Sequence, residues 1–237
     1  MINIDTIYQK VLTLANKEQR GYITPQEFNL LADKAQMDMY STYFHDLKMA
    51  YLKPTKTQVG IGGDEIEMIE AKLHPFKTSE TITQDSGDAT LELPLDLYFI
   101  DVLLHNGREA VELTKKEIVY SENNPLLRAT FDRMVFARET VVNDTPIITI
   151  YPTPVTQGSI FNLHYYKRPS KPNWGYVVVN GKALYNNATS INLELHVSEE
   201  EVLVTRILEL SGLVIRSEEL AQAAMVDKAN TTKNQKD

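Results

Sequence analysis

The chain contains no cysteine. Disulfides, thiolate metal sites and a cysteine nucleophile are therefore excluded, and a reducing compartment of synthesis fits. No run approaches the roughly 18 apolar residues that a membrane-spanning helix needs. The opening residues, Met1-Ile2-Asn3-Ile4-Asp5, show no basic region leading into an apolar stretch. No secretory signal is expected, and the reading is of a soluble protein made in the cytoplasm. Positive charge is also scarce: 24 Lys and Arg face 32 Asp and Glu, a formal net charge of -8. Sequence-independent grip on nucleic acid relies on Lys and Arg releasing phosphate counterions, so this balance disfavours it. A protein that surrounds DNA without holding it remains compatible with the charge.

What is present is an ordinary globular composition, 43% hydrophobic and 24% charged over 237 residues, enough for one large domain or two small ones with a real core. Only the end, Lys228 to Asp237, is nearly free of apolar residues and reads as a polar tail that orders on binding a neighbour.

The N-terminal quarter carries helical periodicity. Ile4, Ile7, Tyr8, Val11, Leu12 and Leu14 recur at three- and four-residue spacing. After a break at Gly21, Thr24-Pro25-Gln26-Glu27 supplies a cap, a proline suited to the first helical position and the glutamate of a capping box. Phe28, Leu31, Ala35, Met39, Tyr43, Leu47 and Ala50 then share one face up to Lys53-Pro54, a helix of roughly 40 Å at 1.5 Å per residue. Residues 54 to 63 read as a linker, with Gly60-Ile61-Gly62-Gly63 as a hinge, and Asp64 to Leu73 as a short acidic helix stopped by Pro75.

Beyond Pro75 the texture changes to Val, Ile, Tyr and Thr with regular turn signals, as in antiparallel sheet. Asn106-Gly107 and Asn180-Gly181 each separate two strand-like runs and predict tight hairpins. Pro146 to Tyr151 and Ser159 to Lys167 predict a third strand pair across Pro152 to Gly158. Thr114 to Asn123 predicts a short helix, and Met134 to Thr140 a strand. Ser198-Glu199-Glu200-Glu201 reads as another capping box, opening a helix with a weak point at Gly212. Ser217-Glu218-Glu219 opens a last helix through Val226. The expected fold class is α+β: a helical bundle from both chain termini with an inserted antiparallel β domain. The expected organisation is 1–75 helical, 76–197 antiparallel β with short helices, and 198–237 helices and tail completing one bundle with 1–75.

The most site-like segment is Asn16 to Glu27, which matches the spacing of a twelve-residue calcium loop: Asn16 first, Glu18 third, Gly21 sixth, Ile23 eighth, Glu27 twelfth. Arg20, however, stands at the fifth position, where a hard-oxygen ligand is required. Asn16 is neutral, and Glu27 is already used by the capping box, so a helix-helix corner is expected instead. Gly60 to Gly63 lacks the Gly-Lys-Ser/Thr ending of a phosphate loop, and Asp64 and Glu65 would repel phosphate. His45, His74, His105, His164 and His196 show no metal-ligand spacing on one helix, although His164 and His196 fall on expected strands and could meet across a sheet. No Gly-x-Ser-x-Gly elbow and no carboxylate pair marked out by context is present. No catalytic, cofactor-binding or metal residue is therefore assigned. Leu163-His164-Tyr165-Tyr166-Lys167-Arg168-Pro169 with Pro172-Asn173-Trp174 interleaves aromatic and basic groups, as a base-stacking surface does. The same pattern fits a strand with alternate residues buried, running into a loop capped by the single Trp, and the acidic whole favours this second reading.

Three segments together carry a family resemblance. They are Gly21 to Asn29 with Asp38-Met39-Tyr40; Leu163 to Pro169 with Pro172 and Trp174; and Leu195-His196-Val197-Ser198-Glu199-Glu200 with Arg206 to Gly212 and Gln222. In order along the chain they resemble the head-to-tail ring (neck) proteins of crAss-like phages, short-tailed viruses of gut Bacteroidales. The resemblance implies a non-enzymatic virion protein, assembled in the host cytoplasm, that stacks as a homo-oligomeric ring, twelvefold, beneath the portal. It implies contacts with portal and further neck or tail rings, with no cofactor and no membrane, and a channel through which DNA passes without specific binding. It also implies an architecture similar to the head-tail adaptors of other short-tailed phages. Another tail ring or an internal cargo protein of the virion is the alternative; a small ligand-binding module or enzyme is a third class.

Overall fold

The structure, a computed structural model, describes residues 1–17, 23–52, 61–84, 89–139, 145–153 and 158–212. The last expected helix, Ser217 to Val226, and the polar tail lie outside the described residues, as do 18–22 of the calcium-like loop. The protein is mixed α+β. Among the described residues it has five α-helices and nine strands, in two compact units: 1–75 with 169–237, and 76–168. Residues 169–197, grouped with the sheet in the sequence reading, fall with the helical unit.

In the first unit, helix α1 spans Ile4–Lys17, with Asn3 Oδ1 accepting the Asp5 N–H at 2.8 Å as its cap. Its buried stripe is Ile4, Ile7, Tyr8, Val11 and Ala15; Leu14 turns outward. Helix α2 spans Pro25–Leu52, opened by the expected box: the Thr24 N–H donates to Glu27 Oε2 at 3.0 Å and the Glu27 N–H to Thr24 Oγ1 at 3.3 Å. Phe28, Ala32, Ala35, Met39, Tyr40 and Tyr43 bury its core face. Gln36 is wholly buried on that face and satisfied there. Its Nε2 donates to the Ser170 carbonyl at 2.9 Å, and its Oε1 accepts the Glu194 N–H at 3.1 Å.

Helix α3 spans Ile61–Leu73. It begins three residues before the expected start, so Gly62 and Gly63 are helical and the expected hinge does not extend past Gly60. Strands β8 (Tyr176–Val179) and β9 (Lys182–Tyr185) form a two-stranded ribbon, and helix α5 spans Glu200–Leu210. The Ser198 capping box is not formed. The residue before α5 is Glu199, without a side-chain cap, because the polar groups are used elsewhere. Glu201 pairs with Lys10 of α1 at 2.5 Å, Glu199 pairs with Lys72 of α3 at 2.9 Å, and the Ser198 N–H donates to His196 Nδ1 at 3.3 Å. A tertiary ion pair has outcompeted the local cap. Gly212 ends the helix at φ +73°.

The second unit is a curled sheet in the order β1-β7-β3-β4-β5-β6-β2. Its strands are β1 Lys77–Thr83, β2 Thr90–Glu92, β3 Leu97–His105, β4 Arg108–Glu112, β5 Val135–Arg138, β6 Ile147–Tyr151 and β7 Ile160–Lys167. Curling follows from register slips in β3, where Tyr98 and Asp101 are skipped against β7; an unpaired residue bends a strand and raises its twist. The curl encloses Leu91, Leu103, Phe136, Ile148, Ile150, Phe161 and Leu163, all 2% exposed or less. On the opposite face of β5, helix α4 (Lys115–Glu122) sets Ile118 against Val135 and Ala137. Burial on both faces explains why Val135-Phe136-Ala137 is a continuous apolar run instead of an alternating one.

Two strand expectations are corrected. Pro146 to Tyr151 and Ser159 to Lys167 do not pair: β6 lies between β5 and β2, and β7 between β1 and β3. A two-residue Asn-Gly turn forces adjacent strands together, whereas the longer connection from Pro152 to Gly158 does not. The sheet is also not wholly antiparallel, since β4 and β5 run parallel through Val111↔Val135 and Glu112↔Phe136. The crossover between them contains α4, and a connection of that length is what a parallel pair requires.

Candidate assembly surface

The residue that organises the helical unit's exposed surface is the single tryptophan. Trp174 is 2% exposed, its ring 4.3 Å from Tyr8 of α1, and Tyr8 lies 4.8 Å from Phe28 of α2. Its indole N–H donates to Asp5 Oδ1 at 2.9 Å and its backbone N–H to Asn29 Oδ1 at 2.7 Å. Every polar group of the buried indole is thus matched, which fixes the ring instead of letting it slide.

From that base rises the β8–β9 ribbon. Tyr176 and Tyr185 flank Trp174, each ring 5.8 Å from it. Gly175 lets the ribbon leave the base. A Cβ there would stand 2.1 Å from Thr189 Oγ1 and under 3 Å from the backbone at Thr189 and Asn186. Above the tyrosines the pairing is Val177↔Leu184, Val178↔Ala183 and Val179↔Lys182, closed by Asn180 (φ 50°) and Gly181 (φ 76°). Val177, Val178, Val179 and Leu184 are all about half exposed or more, with Val178 at 62%. A two-stranded ribbon is marginal by itself; here its first pair packs on the aromatic base, and apolar side chains stand on both faces.

The sheet unit has an exposed apolar region of its own. Val119 and Tyr120 on the outer side of α4, Leu126 and Leu127 in the turn after it, and Phe131 are each more than half exposed, Leu126 at 86%. The turn is built, not loose. Asn124 accepts from the N–H groups of Leu126, Leu127 and Arg128, and the Arg133 guanidinium donates to the Leu127 carbonyl. Exposed apolar side chains clustered on ordered backbone mark contact surfaces in soluble proteins.

Thr24 and Glu27 form a helix start, and Thr24 holds the Glu27 carboxylate below its usual pKa through a backbone and then a side-chain hydrogen bond. Among the described residues no group of three His, Asp or Glu side chains is placed to hold a metal ion. His164 lies on β7 of the sheet unit. His196 lies in the helical unit and is not on a strand: it caps the short 3-10 turn Val197–Glu199. The two expected to meet across a sheet therefore share none. Tyr165, Tyr166 and Trp174 are buried, so their faces are not offered to bases; burial alternates through Phe161, Leu163 and Tyr165, but Tyr166 is buried as well, so the expected alternation stops there.

A groove of about 550 Å³ between α1 and α5 is lined by Asp5, Lys10, Leu14, Glu201 and Val204 among others. Lys10 in it is held by Glu201 and Glu200, whose hydrogen bonds raise its pKa, so it is a satisfied cation and not a free amine. No described helix is long and apolar enough to cross a membrane. The ribbon's exposure was missed in the sequence. Its one available signal was three consecutive valines in a stretch with almost no charge. The chain matches no model of a known protein family and no curated protein.

Proposed function

We propose that this protein is a structural subunit of a phage virion, assembling as a homo-oligomeric ring in the neck beneath the portal and extending the channel through which DNA passes. The observation that carries the reading is the exposed apolar β8–β9 ribbon packed on a buried, hydrogen-bonded aromatic base. Exposed apolar side chains on a strand pair with free edges suit assembly with other chains, and offer no convergent polar groups for a small molecule.

The resemblance to neck proteins gives this assembly its identity, and the packing of the segments that carry it adds support. Asn29 bonds Trp174 at 2.7 Å and Asp38 pairs with Arg206 at 3.0 Å, so parts of all three segments meet in the helical unit, while Leu163 to Arg168 of the second belong to the sheet unit. In the proposal, helices from both chain termini act as one bundle docking on the portal, in the manner of a head-tail adaptor. The sheet unit serves the next ring of the tail. An acidic lumen would let DNA slide without sticking.

The test is to mix the purified chain with portal and image the product by electron microscopy. Coaxial rings are expected. A chain that neither binds portal nor copurifies with virions refutes the reading, and recovery from inside the particle would favour an internal cargo protein instead.

A further inference from the structure

The β8–β9 ribbon is the whole of its sheet: among the described residues nothing pairs with the outer edge of either strand. Its register says which backbone groups those edges offer. Asn186 donates its N–H to the Gly175 carbonyl at 2.8 Å, while the Gly175 N–H goes to Ser190 Oγ at 3.0 Å, so Gly175 and Asn186 are joined across the ribbon by one bond and stand at an inward-facing position of the ladder. In an antiparallel ladder such pairs alternate, which makes Val177↔Leu184 and Val179↔Lys182 hydrogen-bonded and Tyr176↔Tyr185 and Val178↔Ala183 not. The N–H and C=O groups of Tyr176 and Val178 therefore point out of the β8 edge. Those of Ala183 and Tyr185 point out of the β9 edge. Both edges offer matching groups at the same height above the aromatic base.

Charge says what can approach them. From Pro172 to Leu193 the only charged side chain is Lys182, beside the turn, although the chain carries 24 Lys and Arg and 32 Asp and Glu in all. Two copies of a chain with net charge -8 repel each other over most of their surfaces. At the ribbon they meet without that repulsion, and the exposed Val177, Val178 and Leu184 lose water there.

We infer that the occupant of these edges is a second copy of this chain, joined head to tail: the β8 edge of one copy pairs with the β9 edge of the next. In a closed ring all β8 strands run one way and all β9 strands the other, so every such junction is antiparallel, a pairing the free groups can make. One repeated contact then removes both exposed edges of every copy. Pairing of β8 with β8 about a two-fold axis would leave each β9 edge exposed. This deepens the ring proposal and rests on its claim that copies associate; it does not depend on the portal.

The absence of native cysteine gives a clean test on the full chain. Val178→Cys and Ala183→Cys are made separately, mixed in equal amounts and oxidised, and the products are resolved by mass. The expected result is a mixed V178C–A183C disulfide in excess of either homodimer. A product dominated by V178C–V178C would overturn the head-to-tail arrangement. In parallel, Val178→Pro removes an outward N–H that its own hairpin does not use. It should weaken self-association measured by sedimentation about tenfold or more with an unchanged circular-dichroism spectrum, while Val178→Thr, which keeps the backbone groups, should still associate. A wild-type chain that stays monomeric at all concentrations, with no mixed disulfide from the two variants, overturns the inference outright. The two readings fail separately. Copies that cross-link but bind no portal refute the neck assignment alone, and a chain that binds portal through V178P unchanged, with no mixed disulfide, refutes the junction alone.

Discussion

Gly175 and Gly181 lie at opposite ends of the same ribbon and are required for different physical reasons. At Gly181 a Cβ meets nothing within 4 Å, but φ is +76°, so alanine there is strained in the backbone alone. At Gly175 the obstacle is steric: the Thr189 hydroxyl can rotate away, but the Asn186 carbonyl at 2.9 Å cannot. Gly175→Ala should therefore cost about 1–3 kcal/mol, as overpacking does, and perturb tryptophan fluorescence, because the ribbon's base is stacked on Trp174. Gly181→Ala should cost about 1 kcal/mol and leave the fluorescence unchanged. Denaturant melts followed by fluorescence check both. Gln36 makes a related point about polar burial. Gln36→Leu keeps the volume roughly but orphans the Ser170 carbonyl and the Glu194 N–H, both of which it satisfies. A loss of about 1–3 kcal/mol follows from unpaired buried groups, read in the same melts.

At the scale of elements, helix starts were partly legible. The Thr24–Glu27 box is a purely local device and formed as its spacing required. A second box, at Thr114 and Glu117 of α4, is also present, with the Glu117 N–H donating to Thr114 Oγ1 at 3.3 Å. Thr24→Ala and Thr114→Ala should each cost about 1 kcal/mol, detectable as faster amide hydrogen exchange in the first turn of the affected helix. Both glutamates have pKa values held below the ordinary 4.5, Glu27 first by the Thr24 backbone and Glu117 first by the Thr114 hydroxyl. A depressed folded pKa means the unfolded chain binds the proton more tightly. The boxes therefore add stability above the ordinary carboxylate value and lose it as pH falls through the lower, folded one. Between neutral pH and about pH 3, protection of these first turns should fall in the wild type and change less in Glu27→Ala and Glu117→Ala. The Ser198 box had the same sequence credentials and did not form, because Lys10 and Lys72, distant in sequence, claim Glu201 and Glu199.

On the scale of the whole molecule, the segment Asn16 to Glu27 offers a direct discriminator. If it is a corner and not a calcium loop, calorimetric titration with calcium should give no micromolar heat signal, since Arg20 occupies a ligand position and Glu27 is engaged with Thr24. For the ring proposal, an assembled ring imaged at side-chain detail should show a lumen that is not strongly basic; a basic lumen would contradict DNA sliding freely through it.

The sequence by itself determined what depends on neighbours along the chain. The α1 stripe, the Thr24 start of α2, the α4 segment and the two Asn-Gly hairpins were all set by periodicity, capping or turn chemistry within a few residues. So was the α+β class, since helical and strand-like textures occupy separate stretches. Only the tertiary structure decided what depends on competition between distant groups. It placed β6 and β7 on different neighbours, ran β5 parallel to β4, and took Glu201 from a cap into an ion pair. It also left the valine ribbon standing out on Trp174. A strand's partner is chosen by which faces and edges remain after all the others have paired, and an edge is exposed only because nothing else in the fold covers it. Neither condition is written in any local window of sequence.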